Sequence, residues 1–126
     1  MDPIETLLSR NSHNELVEPA PTEAQLKIIF EAALRAPDHA LLRPWKYRVY
    51  TDKGLDLLGN YFVAASLKDD PNLSEEKQLK ILNKPKRAPM VIVASVCLKE
   101  HPKVPHVEQI LSAGAIPVVY ADDWLP

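Results

Sequence analysis

Two short runs concentrate the side chains that could grip an anion. Arg10-Asn11-Ser12 places a guanidinium and a hydroxyl within three residues, a pair suited to holding a phosphate through charge-assisted hydrogen bonds. The same arginine stands where a first helix should end, and a cation there also simply complements the helix dipole. The second run is Arg35-Ala36-Pro37-Asp38-His39, followed by Arg43-Pro44-Trp45. It crowds arginine, aspartate, histidine and tryptophan into a loop whose backbone is restricted by prolines, which implies a shaped pocket more than a solvated turn. Trp45 is equally at home in a core.

Other chemistries lack their residues. The remaining histidines, His13, His101 and His106, form no His-x-x-x-His or comparable spacing with a second donor, so no metal site is expected. Cys97 is the only cysteine and lies in an apolar run; it can form neither an internal disulfide nor a cysteine-based zinc site, and it reads as a structural thiol. The three glycines, Gly54, Gly59 and Gly114, cannot build a Rossmann or P-loop fingerprint, so a nucleotide-type cofactor would have to be held another way. No Gly-x-Ser-x-Gly elbow or hydrolase triad is present.

The elements that position these runs are legible in outline. Asp2 is a good N-cap with Pro3 at the first helical position, so a helix should run to about Arg10 with Ile4, Leu7 and Leu8 on one face. Thr22 and Gln25 have the capping-box spacing. Leu26, Ile29, Phe30, Ala33 and Leu34 then form a helical stripe that should be buried until Pro37 stops it. The aromatic and β-branched residues of Trp45 to Thr51 favour a strand. Helices are expected over Gly54 to Leu67 and from Ser74 to before Pro85, and again from Val107. Met90 to Cys97 is a nearly continuous, valine-rich apolar run, the pattern of a strand covered on both faces. Strands and helices therefore mix, and the class is α+β or α/β. No repeat or candidate domain linker interrupts the 126 residues, which suit one domain.

Composition narrows the setting. Apolar residues make up 46% and charged residues 25%, close to ordinary globular chains, which argues against disorder or a fibre. A formal charge of −2 without a Lys/Arg block excludes the concentrated basic surface that nonspecific nucleic-acid binding needs. The acidic N-terminus is unlike a signal peptide and no segment has the apolar length of a membrane span, so the expected location is the cytoplasm, with no membrane partner.

Taken in order, Arg10-Asn11-Ser12, Pro19-Ala20-Pro21-Thr22, Arg35-Ala36-Pro37-Asp38-His39, Arg43-Pro44-Trp45, Arg87-Ala88-Pro89, Lys103-Val104-Pro105 through Glu108-Gln109, and Ser112-Ala113-Gly114-Ala115 make a recognisable series. It resembles the short, single-domain branch of the FMN-dependent nitroreductase family, the candidate NAD(P)H nitroreductases. The resemblance implies a nitroreductase-like three-layer α/β/α fold of the α+β class, incomplete at the C-terminus. It implies an FMN phosphate and ribityl chain gripped by Arg10 and Ser12, with Asn11 where a second arginine is usual. Arg35 and His39 resemble further flavin contacts, His39 being donated across a homodimer interface that holds the flavin sites. The implied chemistry is hydride transfer from NAD(P)H through FMN to a small-molecule electron acceptor such as a nitroaromatic or quinone. The flavin carries that chemistry, so no catalytic acid or base is assigned.

After Ala115 the family pattern, a long apolar central helix followed by a Gly-rich Trp-Arg-Ser/Thr-Gly segment, gives way to a divergent tail over 116–126 that includes Pro117. A proline inside a central helix costs about 3 kcal/mol. The expectation is a truncated gene, most simply by a frameshift just after the Ala115 codon. The uncovered apolar surface would then promote aggregation or partnering. A noncatalytic remnant that keeps a phosphate- or flavin-binding module is the alternative from another class, and an unrelated small α/β binding domain is a third.

Overall fold

The computed structural model describes residues 2–114. Local capping signals set several element boundaries. The Asp2 carboxylate accepts from the Ile4 amide at 3.0 Å and opens helix α1 (Pro3–Ser9). Thr22 and Gln25 complete a reciprocal capping box. The Thr22 amide donates to Gln25 Oε1 at 2.8 Å and the Gln25 amide to Thr22 Oγ1 at 3.3 Å, satisfying donors that a helix start leaves orphaned. Helix α2 (Glu23–Ala33) follows.

Strand β1 (Trp45–Thr51) has the expected limits. Helix α3 (Lys53–Asp69) is longer at both ends than the apolar pattern alone indicates. Ser74 caps helix α4 (Glu75–Asn83), accepting from the Lys77 amide, and a 3₁₀ turn over Lys84–Arg87 leads into β2 (Met90–Val96). Helix α5 (His106–Gly114) closes the described chain. Among the described residues the strands pair as a two-stranded sheet, β1 beside β2. The architecture is a mixed α+β fold.

The described chain forms two compact units, one of residues 2–20 and 49–91, the other of 21–48 and 92–114. In the first, α3 packs on α4 and the following 3₁₀ turn. Leu55, Leu58 and Gly59 are the buried positions of α3, and Gly59 lies so close to the Leu82 carbonyl of α4 that no side chain fits between them. Lys86 pairs with Asp56 at 2.6 Å. In the second unit Ala33 and Trp45 form the core, with Ala36, Tyr47 and Ala113 packed against them. Phe30 and Tyr47 stack with centroids 5.0 Å apart.

Two expectations about burial are corrected, one on α2 and one on β2. The helical stripe of α2 is buried at Ala33, but Leu34, the C-cap residue, is exposed. The apolar face of α1 is also open, with Leu7 72% and Leu8 83% exposed, because a seven-residue helix at the chain's edge meets little surface. Strand β2 is not covered on both faces. Ile92 and Val96 are exposed, since a sheet of two strands presents little area for helices to cover. Cys97 is half-buried. The expected divergence at Ile116-Pro117, and with it the frameshift, lies outside the described residues.

Candidate functional site

The second unit winds the Pro37–Pro44 loop into an uncommon path. Ala40, Leu41 and Arg43 have φ of 60°, 52° and 45°, the left-handed region in which an L-residue with a side chain is strained by about 1–2 kcal/mol. Such strain persists only where surrounding structure over-determines it, and here the ties are visible. The Asp38 carboxylate accepts from the Arg43 amide at 2.7 Å. The Lys99 ammonium donates to the Leu42 carbonyl at 2.6 Å, and the Cys97 amide donates to the Pro44 carbonyl.

That loop presents His39. Its Nδ1 lies 2.8 Å from Glu108 Oε1 in the first turn of α5. Pro37, Asp38, His39, Glu108, Leu111 and Ser112 line one open cleft of about 410 Å³. The next residue, Gln109, anchors α5 from within. It is 1% exposed; its Oε1 accepts from the Lys99 amide at 2.9 Å, and its amide nitrogen donates to the carbonyls of Lys99 at 2.8 Å and Val104 at 3.2 Å. The Glu108 partner of His39 escaped sequence reasoning, because a contact across 69 residues leaves no local signal.

Arg10, Asn11 and Ser12 lie in the first unit, immediately beyond α1, and all three are exposed. The Arg10 amide closes the helix on Thr6 O, and the Asn11 side-chain amide donates to the Ser9 carbonyl at 3.1 Å. Both contacts serve the helix C-terminus, whose last carbonyls need donors. The guanidinium of Arg10 has no carboxylate partner among the described residues, and neither has that of Arg35. A free guanidinium two residues from a hydroxyl is the donor set a phosphate requires, so Arg10 and Ser12 fit the phosphate end of FMN. Arg35 and His39 belong to the second unit, Arg35 between α2 and the loop and His39 within it.

A second cleft, of about 280 Å³ in the first unit, is lined by Leu16, Glu18, Asp52, Leu55, Lys86, Ala88 and Pro89. Asp52 stands at φ 46°. No group of three metal-ligating side chains occurs among the described residues.

The nitroreductase family model matches residues 7–116, a span that includes every one of these site residues. The chain belongs to the nitroreductase family. It is 45% identical over 117 residues to a candidate NAD(P)H nitroreductase of Haemophilus influenzae, covering 90% of this chain and 61% of that protein. It is 37% identical over 115 residues to a candidate NAD(P)H nitroreductase of Escherichia coli, with the same coverage. The chain thus spans about three fifths of the length of these nitroreductase relatives. The crystal structure of a nitroreductase-like family protein from Bacillus cereus superposes with a TM-score of 0.66 at 18% identity, over 92% of this chain and 58% of that one. This likeness bears on the nitroreductase fold alone.

Proposed function

We propose that this chain binds FMN and takes part in hydride transfer from NAD(P)H to a nitroaromatic, quinone or similar small acceptor. Family membership across residues 7–116 is the observation that carries the reading, together with the names of the relatives as candidate NAD(P)H nitroreductases. Arg10 and Ser12 hold the phosphate, with Asn11 bracing the end of α1 beside them. Arg35 and His39 supply further contacts to the flavin. When bound, FMN supplies hydride acceptance and donation at its N5, and the protein positions it. A homodimer with its flavin sites at the interface belongs to the same reading, supported by the exposed Ile4, Leu7 and Leu8 of α1 and Val107, Ile110 and Leu111 of α5. A cytoplasmic location belongs to it too; no described helix is long and apolar enough to cross a membrane.

A second reading is a module that binds FMN without oxidising NAD(P)H. Flavin titration followed by an NAD(P)H oxidation assay separates the two. The phosphate grip is tested by titrating the chain and its Arg10→Ala variant with FMN and with riboflavin, which lacks the phosphate. A charge-assisted hydrogen bond contributes about 1.5–3 kcal/mol, so Arg10→Ala should weaken FMN by about tenfold or more and leave riboflavin nearly unchanged. Absence of FMN binding by the unsubstituted chain, or an equal loss for both flavins, would refute the assignment.

A further inference from the structure

We propose that Glu108 is a positioning residue for His39: its carboxylate accepts a hydrogen bond from Nδ1–H of the ring and so reserves Nε2 for a donor group of the flavin. The identity of the ligand rests on the reading above; the geometry does not. An ionised carboxylate can only accept a hydrogen bond, so the 2.8 Å contact between Nδ1 and Glu108 Oε1 requires Nδ1 to be the donor. The tautomer of a histidine is set by the bond its other nitrogen makes. Among the described residues Nε2 has no protein partner, and both side chains line the same open cleft with Leu111 and Ser112.

Both sides of the pair are braced. His39 sits in a loop tied by Asp38 to the Arg43 amide and by Lys99 to the Leu42 carbonyl. Glu108 sits in the first turn of α5, and the buried Gln109 pins that turn to the backbone of Lys99 and Val104. The backbone segments that carry the two side chains are thus each held by hydrogen bonds. A site built this way fixes an orientation, the property that a ligand contact needs. In the neutral ring the reserved Nε2 is an acceptor, so it suits a ribityl hydroxyl or the imide N–H and not the phosphate.

The test uses the full chain with Glu108→Ala and Glu108→Gln. Nitrogen-detected NMR of the histidine rings at about pH 8.5, above the ordinary imidazole range, reads the tautomer, with His39→Gln assigning the signal among the four histidines. The expected result is the Nδ1–H form in the native chain, a shift toward Nε2–H in Glu108→Ala, and retention of Nδ1–H in Glu108→Gln, whose amide oxygen still accepts. Glu108→Ala should weaken FMN and riboflavin by a common factor of about three to ten, and Glu108→Gln should recover most of it. A native ring already in the Nε2–H form, or a tautomer unmoved by Glu108→Ala, overturns the positioning role. A loss confined to FMN overturns the assignment of Nε2 to a donor group. A Glu108-dependent tautomer in a chain that binds neither flavin upholds the hold on His39 and refutes the flavin reading alone.

Discussion

Replacing Gly59 with alanine sets two well-known effects against each other. Glycine inside a helix is less favourable than alanine by about 0.8–1.0 kcal/mol, and Gly59 lies well inside α3, so propensity alone makes Gly59→Ala stabilising. Packing says the reverse. A Cβ at this position would stand 2.2 Å from the Leu82 carbonyl oxygen and 3.1 Å from its carbonyl carbon. An unstrained contact needs about 3.5 Å, so α3 and the last turn of α4 must separate by about 1 Å. The obstructing atoms are backbone, and no rotamer change relieves them. Overpacking a filled site costs about 1–3 kcal/mol, occasionally more, and a backbone clash belongs at the top of that range. The net expectation is destabilisation by about 2 kcal/mol. Gly54→Ala is the internal control. Its Cβ would meet only Tyr50 side-chain atoms at 3.6 and 3.7 Å, and it should stabilise by up to about 1 kcal/mol. Urea titrations of the two variants, compared at constant m-value, should move the midpoint in opposite directions. Equal signs, or a Gly59→Ala chain more stable than the native one, would refute the claim that interhelical contact outweighs propensity here.

Two further outcomes follow from polar groups in the second unit. Gln109→Leu keeps the apolar bulk but strips partners from the Lys99 amide and from the Lys99 and Val104 carbonyls. At about 1–3 kcal/mol for a buried polar group left unsatisfied, the loss should reach at least about 2 kcal/mol by denaturant titration, with faster amide exchange in α5. The Tyr47 hydroxyl is buried without a hydrogen-bond partner among the described residues, and burial pushes its pKa above the ordinary tyrosine value. The unfolded chain therefore loses this proton first as pH rises. Stability should be unaffected by this group below about pH 10 and fall above it. Tyr47→Phe should remove that component of the alkaline slope and, by deleting an orphaned hydroxyl, stabilise the chain at neutral pH; an unchanged slope would show that Tyr47 does not titrate differently in the two states.

Elements governed by short-range chemistry were legible in the sequence, and those governed by distant partners were not. Asp2 with Pro3 and Thr22 with Gln25 announce helix starts because the groups they satisfy lie within three residues. The aromatic and β-branched run from Trp45 to Thr51 marks a strand for the same reason. The apolar run of β2 gives the strand but not its surroundings, since hydrophobicity cannot report how many neighbours a strand has. Among the site residues, the motifs locate Arg10, Asn11, Ser12, Arg35 and His39 along the chain. The shape of the loop bearing His39 was hidden, because Ala40, Leu41 and Arg43 carry none of the glycine signal that usually marks a left-handed backbone. Its conformation is imposed by Lys99 and Cys97, more than fifty residues away. Gln109 carries no local signal of burial and is nonetheless buried, its amide satisfying three backbone groups at once.

The left-handed loop also bears on how such a chain could be improved or lost. Glycine at position 40 or 41 would relieve torsional strain, and a screen that rewards only thermal tolerance would drift toward it. The same change would return to the loop the freedom that the strained path removes, and with it a wider range of positions for His39. Selection for robustness and selection for a fixed ligand contact therefore pull these positions in opposite directions. The alanine and leucine found there keep the loop on its strained path.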